Sequence, residues 1–156
     1  MKRSLFLLSA VLTASFTLSA LAAHTHAPTP STWVLNVTAS DFGGGPTMKS
    51  DQMTILTDTD KWFKWTDLTV DGDGKTWKTS WSGPADGTLK PVEGMDGAKA
   101  GFNTANDSSH WEMADGSTTN TTMVMSEDKK KVTISAMTKT KDGKEFHQTW
   151  VYDRAK

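Results

Sequence analysis

Trp62-Phe63-Lys64-Trp65-Thr66-Asp67-Leu68-Thr69-Val70-Asp71-Gly72-Asp73-Gly74-Lys75-Thr76-Trp77-Lys78-Thr79-Ser80-Trp81-Ser82 is two runs of aromatic, β-branched and polar residues on either side of a double Asp-Gly. Side chains on a strand alternate between faces, so Phe63 and Trp65 share one face and Trp62 takes the other. The same rule puts Trp77 and Trp81 together. Asp-Gly tolerates the positive φ angles of a tight turn and marks where one strand folds back on the next. The stretch therefore reads as a β-hairpin with strands at 62–70 and 75–82.

The same pattern extends in both directions. Asp-Gly recurs at Asp86-Gly87, Asp96-Gly97, Asp115-Gly116 and Asp142-Gly143. Between these turns, Val132, Ile134 and Ala136 alternate on one face, as do Phe146, Trp150 and Tyr152. Strands are predicted at 32–37, 48–57, 62–70, 75–82, 98–104, 109–114, 117–125, 132–140 and 145–153. A single helical turn is expected at 38–42, and no window after residue 23 has a helical apolar period. The long connection 83–97 holds Pro84, Pro91 and four glycines, and is predicted to be a mobile loop gating one end. Short-turn hairpins in succession favour an antiparallel up-and-down sheet. About nine strands tend to close into a barrel because closure removes exposed edges. A β-sandwich uses the same pattern and is the alternative.

The first residues belong to another class. Lys2 and Arg3 precede an apolar stretch, Leu5 to Leu21, followed by Ala20-Leu21-Ala22-Ala23. That is the build of a secretory signal peptide, so 1–23 is expected to be removed and the protein to be periplasmic or secreted. The stretch is short for a membrane span, and none is expected in the mature form. Residues 24–30, with their Pro and Thr, read as a flexible linker, and 31–156 as one domain. With no cysteine, disulfides cannot supplement the core. All seven tryptophans lie after residue 23, where each can bury on the order of 200 Å². Without Lys2 and Arg3, 15 basic residues face 18 acidic ones and no basic patch forms, which argues against nucleic acid as a partner. A monomer is expected.

Ser31-Thr32-Trp33-Val34-Leu35-Asn36, then Ser40-Asp41-Phe42 and Gly45-Pro46, resemble the opening of small secreted bacterial lipocalin-like proteins. The closing half, from Ser126-Glu127-Asp128 to Val151-Tyr152-Asp153-Arg154, is similar to that family's last hairpins. The resemblance implies a lipocalin-like barrel in which the first and last strands are neighbours. Trp33 begins the first, and Arg154, the sole arginine after residue 23, ends the last. A guanidinium over an indole is worth about 0.5–2 kcal/mol, and this pair is predicted to close the barrel.

Candidate chemistry is sparse. No Cys and no Gly-x-Ser-x-Gly elbow is present, and alternation turns His110 and His147 outward, so no enzyme and no cofactor are expected. Asp71-Gly72-Asp73-Gly74 lacks the ligands of an EF-hand in either register and reads as a turn. If cleavage follows Ala23, His24-Thr25-His26 would open the chain, and an amine, backbone nitrogens and His26 could hold copper or nickel. The predicted interior comprises Phe63, Trp65, Trp77, Trp81, Trp111, Met113 and Trp150. Inward aromatics of a small barrel either fill it or line a ligand cavity. The favoured reading is an exported barrel that sequesters a small apolar or amphiphilic molecule. The alternatives are an envelope structural or interaction protein with a filled barrel, and an N-terminal copper binder.

Overall fold

The computed structural model describes residues 26–156. The segment expected to be a signal peptide, 1–23, and His24 lie outside the described residues. Ten strands form one antiparallel sheet: β1 (Ser31–Leu35), β2 (Met48–Asp58), β3 (Trp62–Asp71), β4 (Thr76–Pro84), β5 (Lys90–Pro91), β6 (Lys99–Asn103), β7 (Ser108–Glu112), β8 (Thr118–Met125), β9 (Lys131–Lys139) and β10 (Glu145–Arg154). Two short 3-10 turns, Val37–Ala39 and Thr104–Asn106, complete the architecture. The strand order is β4-β3-β2-β1-β10-β9-β8-β7-β6-β5. Strands adjacent in sequence thus pair in space, except β4 and β5. The first and last strands also pair, with Trp33 directly opposite Arg154. One continuous sheet replaces the sandwich alternative.

What remains is a seam between β4 and the β5–β6 hairpin. Here the expectation of a mobile gating loop at 83–97 is corrected. Ser80 and Glu93 exchange backbone hydrogen bonds of 3.1 and 2.9 Å. Beyond Pro84 the chain runs beside β6, where Gly87 N–H donates to the Phe102 carbonyl at 2.9 Å and Thr104 N–H to that of Ala85 at 3.2 Å. Ala85 and Val92 are buried, and the Trp81 indole donates to the Ala100 carbonyl at 2.9 Å. The segment satisfies the backbone groups that an open sheet would leave exposed at its edges. Its job in the fold is closure.

Alternation then sets the interior. On β2, Asp51, Met53 and Ile55 face inward; on β3, so do Phe63, Trp65, Asp67 and Thr69. A register shift between Ile55 and Thr57 reverses the parity of β2 beyond it. Asp58 thereby pairs with Phe63 and turns inside. Its buried carboxylate accepts the Ala27 N–H at 2.5 Å and meets the His26 Nδ1 at 3.1 Å, while His26 Nε2 lies 3.0 Å from Asp60. Residues 26 and 27 of the expected flexible linker are therefore tied to the barrel, because a buried carboxylate requires donors. Trp33 is fully buried with its indole on Ser31 Oγ at 2.9 Å, whereas Arg154 is exposed. No helix among the described residues is long and apolar enough to cross a membrane.

Candidate functional site

The barrel encloses a cavity of about 420 Å³. Of the predicted interior residues, Phe63, Trp65, Trp77, Trp111, Met113 and Trp150 line it. Trp81 does not: it is buried at the seam, where its ring and N–H are used in closing the sheet. Phe102 on β6 is the hub that reading by alternation left out. Its ring lies 4.7 Å from Trp81, 5.0 Å from Phe63, 5.7 Å from Trp111 and 6.1 Å from Trp65, centroid to centroid. These tilted and edge-on geometries are the ones aromatic quadrupoles favour. Met53, Met95 and Met123 add flexible apolar wall.

Set into this wall is a polar group. Tyr152, on β10, donates its hydroxyl to Asp51 Oδ2 at 2.7 Å. Thr69, directly across the β2–β3 ladder, donates to Asp51 Oδ1 at 2.5 Å. Asp67, two residues before Thr69 and on the same face, brings a second carboxyl within hydrogen-bonding reach of Asp51. Burial, then the neighbouring Asp51 charge and the hydrogen bond between the two carboxyls, push Asp67 up to about 8. A carboxyl raised this far keeps its proton at neutral pH, so Asp67 can donate to Asp51. The Tyr152 phenol is driven well above its usual range by burial and by Asp51, so it remains a donor.

The wall also holds polar atoms without partners among the described residues: the indole nitrogens of Trp65 and Trp150 and Oδ1 of Asp67. Trp65 is 4% exposed. An indole N–H can only donate, and a buried donor left unmade costs about 1–3 kcal/mol. At one rim the Trp77 indole donates to Asp71 Oδ2 at 3.0 Å, and the Lys75 ammonium sits 3.7 Å above the Trp77 ring.

Comparison with known proteins adds little to this geometry. No family model and no curated protein matches the chain. Among solved structures, a de novo designed fluorescence-activating β-barrel is similar at 14% identity, covering 81% of this chain and 93% of that one, with a TM-score of 0.41.

The histidines stand apart from the cavity. His110 Nδ1 is 2.8 Å from Asn120 Oδ1 and its Nε2 is 4.0 Å from Glu112, all on the outer face; His147 is exposed. His26, the described member of the copper candidate, has both ring nitrogens directed at carboxylates. Among the described residues, no group of three or more His, Cys, Asp or Glu is arranged to hold a metal ion.

Alternation could have found the missed residues. Asp51 is in phase with Met53 and Ile55, Asp67 with Phe63 and Trp65, and Phe102 with Ala98 and Ala100. Applied to aromatics alone, the rule overlooked the carboxyls.

Proposed function

We propose that this protein is a lipocalin-like binding barrel, acting without turnover, that sequesters one small amphiphilic molecule. The observation that carries the reading is the cavity: about 420 Å³ of aromatic and thioether wall interrupted by a few convergent polar groups. That combination of size and lining is characteristic of small-molecule sites. Apolar wall drives entry by desolvation, and the polar groups set orientation. Against the rival of a filled barrel stands the same volume, since a filled interior would approach the packing density of a protein core. The lipocalin-like assignment draws support from the pairing of β1 with β10, which sets Trp33 opposite Arg154.

The test is titration with N-phenyl-1-naphthylamine, a neutral apolar fluorophore. The expected result is saturable enhancement of probe emission at one site per chain, with matching loss of tryptophan emission by energy transfer. No saturable signal at micromolar protein overturns the reading. Export and a monomeric state belong to the same proposal, supported by the residue pattern of 1–23 and the closed sheet. Native mass spectrometry of protein recovered from its host should show a single chain beginning at residue 23 or 24. A full-length chain or a dimer would overturn those parts.

A further inference from the structure

The chemistry of the cavity wall narrows the ligand class. The inference rests on the binding-barrel reading and goes beyond it. Asp51, Asp67, Asp71 and Asp107 all line the cavity, and among the described residues no Lys, Arg or His does. Asp51 and Asp67 are set among Phe63, Trp65, Trp111 and Trp150. Both are largely buried in a mostly apolar wall, so charge acts at longer range there than on an open surface. Aromatic faces also favour positive charge, and the rim already shows this preference, with Lys75 over Trp77.

We propose that the ligand is an amphiphilic organic amine, its ammonium group held by the Asp51–Asp67 carboxyls and its body lying along Trp65, Trp111 and Trp150. An anionic head would meet two carboxyls with no cation to balance it. A neutral hydroxyl could accept from Asp67 but would leave the remaining negative charge of the pair without a counterion. An ammonium supplies donors to both carboxyls and neutralises that charge. Independently of the carboxyls, the buried N–H of Trp65 and of Trp150 in the same wall lack acceptors among the described residues. Trp65 is two residues from Asp67 on β3, and Trp150 two residues from Tyr152 on β10. An oxygen acceptor close to the ammonium would satisfy them, which favours amines carrying a nearby hydroxyl or ether.

The experiment is competition against bound N-phenyl-1-naphthylamine by decylamine, decanol and decanoate at pH 7, each below its aggregation threshold. The chain is constant and only the head changes. Decylamine is expected to bind more tightly than decanol by about tenfold or more, the advantage of a charge-assisted hydrogen bond over a neutral one, and decanoate more weakly than either. In the double variant Asp51→Asn, Asp67→Asn the order should collapse to near equality for amine and alcohol. Near-UV circular dichroism checks that this variant is folded. If it is not, Asp67→Asn alone serves, and a decylamine preference at least threefold smaller is expected because Asp67 can ionise beside an ammonium and become a second charged acceptor, whereas the amide cannot. Equal binding of amine and alcohol to the wild-type protein overturns the amine inference and leaves the barrel reading standing. A failure of the fluorophore itself to bind overturns the barrel reading first.

Discussion

Tyr152 shows what one buried hydroxyl contributes to this barrel. Its donor satisfies Asp51, a carboxyl only 2% exposed, and its ring packs in the core beside Leu35 and Val132, its ladder partners on β1 and β9. Tyr152→Phe would keep the ring and remove the donor, leaving Asp51 Oδ2 without that hydrogen bond. The expected cost is about 1–3 kcal/mol, read as a lower urea midpoint with an unchanged slope. A neutral substitution would mean that water already reaches Asp51 and that the polar group is less enclosed than its geometry indicates. At this scale the sequence was partly legible. Period-two alternation placed Phe63, Trp65, Trp111, Met113 and Trp150 inside, because it requires only the pleat. It could not show that Asp51 and Asp67, on different strands, bring their carboxyls together. That depends on the β2–β3 register, which is set by bulges and turn geometry.

Turn signals made most of the strands legible, each flanked by Asp-Gly or a similar break. β5 escaped because it has only two residues, one of them Pro91, which has no N–H to offer a ladder. The role of 83–97 escaped for a related reason: its partners, Ser80 and Phe102, lie in other elements, so nothing local announces the pairing. Gly94 makes the seam testable. Its φ is +79°, and a Cβ there would lie 2.0 Å from the Lys78 carbonyl oxygen. Gly44 has nearly the same φ, +78°, with nothing within 4 Å of the Cβ position. Both alanine variants carry the positive-φ penalty of about 1 kcal/mol, but only Gly94→Ala must also push two backbones apart. It should therefore be less stable than Gly44→Ala by at least about 1 kcal/mol, with faster hydrogen exchange at the Ser80 and Glu93 amides. Equal stability of the two variants would show that the seam yields freely at this point and contributes little to closure.

Across the whole molecule, carboxyls of two kinds act in opposite directions on stability. Asp86, Asp115, Asp128 and Asp142, which are exposed, and Asp71 and Asp153, which are half-buried, are held below the usual carboxylate range. The main cause in each is a side-chain hydrogen bond: from Thr88, Ser117, Ser126, Thr140, Trp77 and Asn36 respectively. A depressed carboxyl stabilises the fold above its unfolded value near 3.8, and that contribution fades as pH falls through the folded value. Asp67, facing Asp51 from β2, Thr69 from its own strand and Tyr152 from β10, does the reverse. The folded chain retains its proton up to about pH 8, while the unfolded chain has lost it above about 4. Stability should therefore decline as pH rises across that interval. His26 adds a smaller loss in the same direction. Its hydrogen bond with Asp58 raises its pKa, so its contribution is full below 6.5 and fades as pH rises through the folded value; its exposure keeps the effect small. The protein is thus predicted to be most stable near pH 4–5, more acidic than the range of about 5–8 common among proteins. In Asp67→Asn the amide still donates to Asp51 but cannot ionise, so the decline between pH 5 and 8 should flatten and the maximum move up toward the His26 limit near 6.5. Thermal unfolding midpoints of both proteins from pH 3 to 9 test this. A wild-type profile that is already flat between pH 5 and 8 would mean that the two carboxyls ionise independently, and that the barrel wall is wetter than its aromatic lining implies.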